Sequence, residues 1–299
     1  MKYFSILEAP SEKFIEFAIK KMGRKMEDFS QSGHVQEDFL LKSEKYPIFV
    51  VADGVTLIQY ILDKKDYPNP SPAGDVARIF CEEFIKIAEE KYNSFQESDI
   101  GKIFETVNEA VGKYNSEHGR TKETVDYWDN DFYAATAAFV IIKEDKVYWG
   151  SICDSYVTHF DKNGLLKFCS PKCNELKQAE APKFTSDTSD QKAKAMYAWN
   201  TNRNGINKNG ERIGYGVVTG EPEALEYLSV GSFSIKQGDL VAILTDGFED
   251  YIKLPEFISL FTSWPTDLES QIKNFTYKKA EEDPETFGHE RSLIVIKSE

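Results

Sequence analysis

Acidic residues stand at the ends of apolar segments of strand length, where they are placed to bind a metal ion. One apolar run ends in Asp53-Gly54, and a later run ends, after one threonine, in Asp246-Gly247. An Asp-Gly pair on its own is typical of the turn that ends a strand. Two buried strands that end in the same way favour a metal site instead, because a buried carboxylate is costly unless it is paired or metal-bound.

Further acids occupy similar boundaries. Glu37 and Asp38 stand at the start of a predicted strand, Asp154 follows another, and Asp250 lies one turn beyond Asp246. Mg²⁺ and Mn²⁺ prefer carboxylate and backbone carbonyl oxygens, and an Asp-Gly strand end offers both, since glycine permits a close approach of the backbone. Two such ions about 3.5–4 Å apart would activate a water molecule and neutralise a phosphoryl group.

The elements that must position these acids form an α+β pattern with antiparallel sheets. Ser71 as N-cap and Pro72 at the first helical position begin a helix with one apolar face, and a second helix follows Ser98. Residues 14–19 fit either a strand or a helix. Strands are predicted at 4–6, 37–41, 46–52, 134–142, 146–153, 156–160, 229–235, 239–245 and 292–296, and later helices at 254–261 and 267–278.

The segment at about 168–220 is rich in turn residues and is predicted to be a loop-rich insertion that serves as a flap or a recognition element. A short helix is predicted within it at 190–199. Trp199, Arg203 and Arg212 could contact a phosphopeptide there, although a packed tryptophan and exposed arginines are the simpler interpretation. We find no repeat and no linker, and we predict a single domain over residues 1–299.

Taken together, the acidic motifs resemble those of a known family. The resemblance rests on five segments in the family's order and spacing, between about residue 25 and the end of the chain: Glu37-Asp38, Asp53-Gly54-Val55, Cys153-Asp154-Ser155, Thr245-Asp246-Gly247 with Asp250, and His289–Val295. They resemble the metal-dependent protein phosphatases, the type 2C serine/threonine phosphatases. This resemblance implies a four-layer α-β-β-α sandwich of two antiparallel sheets flanked by helix pairs. It also implies two Mn²⁺ or Mg²⁺ ions at one edge, with a metal-bridging water that attacks phosphoserine or phosphothreonine without a covalent intermediate.

The resemblance also implies roles for single residues. Asp53 matches the carboxylate that bridges both metals, Gly54 would offer its carbonyl, and Asp246 matches a ligand of one metal. Glu37 would hold a metal directly or through water, and Asp38 would position the metal ligands without binding a metal itself. The catalytic set is therefore expected to be Glu37, Asp53 and Asp246. Two more acids match those that hold a weaker third metal in some members, namely Asp154 and Asp250.

Two positions depart from the family pattern. The family's last metal-binding motif opens with Asp, where this chain has His289 followed by Glu290; either side chain can bind Mn²⁺, and His289 also fits a surface turn. The family's phosphate-binding arginine corresponds to Gly33. His34 is our candidate for substrate binding in its place, and Arg24, Lys25 or a basic residue of the insertion are the alternatives.

Composition limits the partners. The chain has 36 basic and 50 acidic residues and a net charge of −14, which disfavours nucleic acids and anionic membranes. We find no export signal and no apolar segment long enough to span a membrane, so a cytoplasmic location is expected.

These observations lead to two hypotheses of different classes. The first is a metal-dependent serine/threonine protein phosphatase that acts on a phosphorylated protein, with a cognate kinase as a further partner. The second is a catalytically weak or inactive phosphatase-like module with a binding or regulatory role. The acidic set favours the enzyme, whereas the glycine at position 33 and the altered last motif at His289 favour the module.

Overall fold

A computed structural model describes residues 1–21, 35–57, 67–126, 130–172 and 202–299 of the chain. The strands in these ranges are β1 Lys2–Glu8, β2 Phe39–Lys42, β3 Ile48–Gly54, β4 Ala135–Lys143, β5 Lys146–Ile152, β6 Tyr156–Phe160, β7 Leu166–Cys169, β8 Ser229–Ser234, β9 Leu240–Leu244 and β10 Arg291–Lys297. Within the described residues they form two five-stranded sheets, in the orders β1-β10-β9-β6-β7 and β2-β3-β4-β5-β8. Each pair of neighbouring strands is antiparallel. The α+β prediction with antiparallel sheets is confirmed.

Helices cover the outer faces of both sheets. They are α1 Glu12–Lys21, α2 Pro72–Lys91, α3 Asp99–Glu117, α4 Pro255–Ser263, α5 Leu268–Glu282 and α6 Pro284–Phe287. Apolar residues of α2 and α3 pack against β3 and β4, and those of α4 and α5 pack against β9 and β10. A third apolar cluster fills the space between the two sheets. The order of layers is helix, sheet, sheet, helix, as the family resemblance implies.

The strands β3 and β9 are apolar on both faces because each lies between a helix layer and the other sheet. In β3, Val50 and Ala52 face the helices, whereas Phe49 and Val51 face the opposite sheet. Successive side chains of a strand point to opposite faces, so a strand buried on both sides becomes a continuous apolar run. This explains the two runs that lead into Asp-Gly in the sequence.

The helix starts follow the sequence signals only in part. Ser71 accepts a hydrogen bond from the backbone N–H of Ala73 and caps α2, as predicted. Helix α3 begins where expected, but the Ser98 side chain makes no capping hydrogen bond. The ambiguous segment 14–19 is helical and belongs to α1.

Strands β8 and β9 are joined by a short turn through Gly238, whose positive φ of 89° suits glycine. They nevertheless lie in different sheets, so this turn carries the chain across the sandwich. The predicted helix at 190–199 and the candidates His34, Arg24 and Lys25 lie outside the described residues. No described helix has both the length and the apolar character that a membrane span requires.

Candidate functional site

Strand periodicity places the two Asp-Gly ends at the same edge of the sandwich. Asp53 follows Phe49 and Val51 on the face of β3 that looks toward the other sheet. Thr245 follows the inward-facing Ile243 at the end of β9. The Asp53 carboxylate and the Thr245 hydroxyl therefore lie between the sheets where the strands end.

Three carboxylates meet at this edge. Asp38, Asp53 and Glu290 each contribute one oxygen to a group in which all three oxygens lie within 4.8 Å of one another. The pairing of Phe39 with Ala52 sets the register that brings Asp38 opposite Asp53 in one sheet. Glu290 directly precedes β10 of the other sheet. The group thus joins both sheets and could hold a hard cation.

Asp38 is the most enclosed member of the group, with 4% of its surface exposed. Its Oδ2 accepts a hydrogen bond of 2.7 Å from the Thr245 hydroxyl. Its Oδ1 is buried and receives no hydrogen bond from any residue that the structure describes. A buried carboxylate oxygen without a donor is costly, and a bound cation is the partner that would remove this cost. The donor set and this orphaned oxygen both fit a metal ligand.

Backbone N–H groups orient Glu290. Its Oε2 accepts hydrogen bonds from the backbone N–H groups of Glu37, at 2.7 Å, and of Asp38, at 3.4 Å. The side-chain amide of Gln36 donates to the same oxygen at 3.3 Å. The segment before β2 therefore positions Glu290 with its backbone and contributes the Asp38 carboxylate to the group.

Arg291 fixes the turn that leads to Glu290. Its guanidinium donates to the carbonyl oxygens of Phe287 and His289, both at 2.8 Å, and its Nε donates to Glu8 Oε2 at 2.7 Å. The Arg291 side chain is only 5% exposed. An ion pair that is anchored to two carbonyl groups in this way holds the backbone of the turn in one geometry.

Close packing explains why each strand ends in glycine. A Cβ atom on Gly54 would lie 2.6 Å from the backbone carbon of Ala73, at the start of α2. A Cβ on Gly247 would lie 2.0 Å from the backbone oxygen of Glu290. Real Cβ contacts are longer than this, so a side chain would force the backbones apart. Both glycines let a second element approach the acid that precedes them.

Glu37 lies beside the group of three acids, and one oxygen of its carboxylate is bound by residues outside this group. It is fully buried, and its Oε1 accepts hydrogen bonds from the Tyr67 hydroxyl, at 2.8 Å, and from the Ser71 hydroxyl. Burial raises the pKa of Glu37 to about 7. In this structure Glu37 ties the segment before β2 to the start of α2, while Asp38 joins the acids.

His289 points away from the acids. Its Nε2 lies 2.9 Å from the carbonyl oxygen of Glu285, and its ring packs on Phe14 with 4.1 Å between the ring centroids. Of the two neighbouring candidates, the structure therefore brings Glu290 into the group and places His289 against α1.

Two further acids, Asp154 and Asp246, border the group. Burial raises the pKa of Asp154, and it raises the pKa of Asp246 to about 8 with the charges of Asp154 and Asp38 as further causes. The Asp246 side chain also reaches solvent, which screens this repulsion. Asp250 stands apart, because its carboxylate pairs with Lys253 at 2.9 Å and is 46% exposed.

The central acids repel one another when no cation is present. Burial raises the pKa of Asp38 to about 6 and that of Glu290 to about 9. The pKa of Asp53 lies well above its usual value, first because of burial and then because of the charges of Asp38 and Asp246. Such a set favours either bound protons or a bound divalent cation.

The described end of the insertion packs firmly on the sheets. Arg203 forms a buried ion pair of 2.8 Å with Asp131 and is 3% exposed, so the expectation of an exposed arginine is wrong. Nearby Tyr215 and Val217 pack with Cys153, which directly precedes Asp154. This part of the insertion supports one of the loops that carry the acids.

Sequence reasoning missed three contributors to the site. Thr245 and Arg291 bind or adjoin its acids and stand inside the motif segments, from which they could have been suspected. Lys172 lies in the insertion and belongs to no motif. Lys172 donates to Glu249 at 3.0 Å, and its charge partly offsets the rise in the pKa of Asp154 and of Asp246 that burial causes.

Comparison with known proteins agrees with this architecture. The S. agalactiae serine/threonine phosphatase aligns over 100% of this chain and 99% of its own, with a TM-score of 0.59 and 11% identity. PppA, a regulatory component of the type VI secretion system in Pseudomonas aeruginosa, aligns over 99% and 97%, with a TM-score of 0.58 and 12% identity. The catalytic domain of PstP in complex with two manganese ions aligns over 98% and 96%, with a TM-score of 0.54 and 10% identity. These likenesses show the fold.

A search of curated protein sequences gave no match. The model of the family described as "Protein phosphatase 2C" matches residues 29–276, which is most of the chain. The chain therefore belongs to the protein phosphatase 2C family.

Proposed function

We propose that the protein is a metal-dependent phosphatase that hydrolyses phosphoserine or phosphothreonine in proteins. The observation that carries this proposal is the group formed by Asp38, Asp53 and Glu290, bordered by Asp246, at the edge between the two sheets. Family membership gives the reaction class, and the acidic edge gives the site where it would occur.

We propose Asp53 as the central metal ligand, together with Asp38, Glu290 and Asp246, and with the Gly54 carbonyl as an additional donor. Mn²⁺ or Mg²⁺ suits this all-oxygen set, and PstP, which shares the fold, was crystallised with two manganese ions. When bound, such ions lower the pKa of a coordinated water and neutralise the phosphoryl group.

The chain's own residues would prepare this site by holding its acids in place. The Thr245 hydroxyl orients one oxygen of Asp38, and the other oxygen is buried without a hydrogen bond from a described residue. The N–H groups of Glu37 and Asp38 fix Glu290, and Arg291 fixes the turn before it. Glu37, the metal ligand expected from the resemblance, is proposed here to act through its backbone and through its bonds to Tyr67 and Ser71.

A second candidate is a phosphatase-like module of weak or no activity that binds or regulates another protein. The observation in its favour is Gly33, which stands where the family carries its phosphate-binding arginine. Under either function we propose a single domain whose insertion at about 168–220 contacts a protein partner.

Phosphate release from p-nitrophenyl phosphate and from a phosphothreonine peptide decides between the two. The assay is run with Mn²⁺, with Mg²⁺ and with EDTA, on the wild type and on Asp53→Asn. The enzyme predicts turnover that depends on the metal and is lost in the variant. A wild type whose turnover with Mn²⁺ does not exceed that of Asp53→Asn would establish the inactive module instead.

A further inference from the structure

Lys172 stands between the two loops that carry the outer acids of the site. Its Nζ lies 3.0 Å from Glu249 Oε2, and Glu249 follows one turn after Asp246, to whose carbonyl its N–H donates at 2.8 Å. The hydroxyl of Tyr156, two residues after Asp154, donates to the same Glu249 oxygen at 2.8 Å. The Glu249 carboxylate therefore fixes the Lys172 ammonium beside both acid-bearing loops.

The ammonium of Lys172 keeps binding capacity in this position. An ammonium group has three N–H donors, and the hydrogen bond to Glu249 uses one of them. Glu249 also accepts from Lys253 at 2.9 Å, so its single charge is shared between two lysines. The Lys172 side chain is 29% exposed, which leaves it open to a ligand that enters the acidic edge.

Two other cations near the acids in the described part of the chain are less available. The charge of Arg291 partly offsets the rise that burial causes in the pKa of Asp38, but the Arg291 side chain is only 5% exposed. Its guanidinium is occupied by Glu8 and by two backbone carbonyl groups. Lys253 is more exposed than Lys172, but it pairs with Asp250 as well as with Glu249, farther along the chain from Asp246.

We propose that Lys172 is a substrate-binding residue whose ammonium donates a hydrogen bond to a phosphoryl oxygen of the phosphomonoester. This inference rests on the proposed function and deepens it, because it supplies a phosphate-binding cation in a chain that has Gly33 at the position of the family arginine. A charge-assisted hydrogen bond from an ammonium to a phosphoryl oxygen is among the stronger polar contacts in proteins. The lysine ammonium group would bind the phosphoryl oxygen as a compact positive charge.

The test compares Lys172→Met and Lys172→Arg with Lys167→Met, which removes the same charge from an exposed position on β7. Binding of inorganic phosphate to the Mn²⁺-loaded proteins is measured by calorimetry, and the KM for a phosphothreonine peptide is measured alongside. We expect Lys172→Met to weaken phosphate binding and to raise KM by about tenfold or more. Lys172→Arg should restore most of the binding, and Lys167→Met should match the wild type.

Three results would overturn the inference: phosphate affinity that is the same in Lys172→Met and in the wild type, no phosphate binding by the Mn²⁺-loaded wild type, or a change in Mn²⁺ affinity without a change in phosphate affinity. The last result would make Lys172 a counter-ion of the acids. A wild type that binds phosphate but releases none from p-nitrophenyl phosphate would refute the proposed function separately, and the calorimetry would still decide the role of Lys172.

Discussion

Replacing Asp38 by asparagine should stabilise the metal-free protein while it weakens the metal site. The Thr245 hydroxyl donates to Oδ2 of Asp38, and Oδ1 is buried without a donor among the described residues. The asparagine carbonyl can accept from Thr245, and its amide group then takes the place of Oδ1 in a residue that shares the site with the carboxylates of Asp53 and Glu290. A buried charge is thereby exchanged for a neutral hydrogen-bond donor among acids.

The magnitude follows from the pKa of the Asp38 carboxyl group. Burial raises this pKa from 3.8 to about 6, and each pKa unit is worth about 1.36 kcal/mol, so the ionised group costs the folded state about 3 kcal/mol. Because the folded pKa is the higher one, the favourable contribution of this group is present below pH 3.8 and is lost as the pH rises through about 6. At pH 7.5 the full cost applies, and the substitution removes it.

Guanidinium unfolding in EDTA at pH 7.5 measures this effect, with Asp145→Asn at an exposed turn as the control. We expect Asp38→Asn to raise the free energy of unfolding by up to about 3 kcal/mol and the control to leave it within about 0.5 kcal/mol. Added Mn²⁺ should stabilise the wild type far more than the variant. A lower free energy of unfolding for metal-free Asp38→Asn than for the metal-free wild type would contradict the inference that the ionised Asp38 carboxylate destabilises the folded state.

Three further substitutions test the support of the site. Gly247→Ala places a Cβ 2.0 Å from a backbone oxygen and should lower the free energy of unfolding in denaturant by roughly 1–3 kcal/mol. The control is Gly101→Ala, whose Cβ would meet only a leucine methyl group at 3.9 Å; it should leave the free energy of unfolding unchanged or raise it. Arg203→Met leaves the buried Asp131 without its ion-pair partner and should lower the free energy of unfolding by roughly 3–5 kcal/mol. Arg212→Met, at an exposed position, should leave it nearly unchanged. Equal losses in the two variants would contradict a stabilising role of the buried pair. Glu8→Gln loosens the arginine that holds the turn before the last acid, so the Mn²⁺ concentration for half-saturation should rise several-fold, and an unchanged value would argue against this clamp.

The general position of the site was predictable because strand periodicity is visible in the sequence. The strands Ile48–Ala52 and Leu240–Leu244, which lead to Asp53 and Asp246, are apolar at every position, and this indicates strands buried on both faces. Such strands end at the edge of a sandwich, so their terminal acids had to lie there. The helix cap at Ser71 follows an equally local signal, whereas the layer order was implied by the family resemblance.

The choice between neighbouring acids was not predictable in the same way. Glu37 and Asp38 are adjacent at the entry to β2, yet their carboxylates have different partners. Asp38 joins the group of acids, whereas Glu37 accepts a hydrogen bond from Tyr67. The same holds for His289 and Glu290 before β10, where Phe14 of α1 receives the histidine ring. Which of two adjacent side chains joins the acids therefore depends on partners that are distant in the sequence, and no local sequence pattern predicts it.

The glycines and Lys172 show a second limit. The sequence predicts a close backbone approach at the Asp-Gly ends, but it does not show which backbone approaches: Ala73 lies against Gly54, and Glu290 lies against Gly247. Lys172 belongs to no recognised motif, and its position beside the acids depends on its hydrogen bond to Glu249, which is distant in the sequence. Long-range contacts of this kind require the fold before they can be seen.

Calorimetric titration of the metal-free protein with Mn²⁺, for the wild type and for Asp53→Asn, tests the central claim most directly. Burial and then the charges of Asp38 and Asp246 raise the pKa of Asp53, which places this carboxylate among the other acids, so we expect the removal of its charge to weaken metal binding at the whole edge. We predict that the wild type binds two Mn²⁺ ions and that the variant loses at least about a hundredfold in affinity. Equal affinity and stoichiometry in the two proteins would contradict a metal site at this edge.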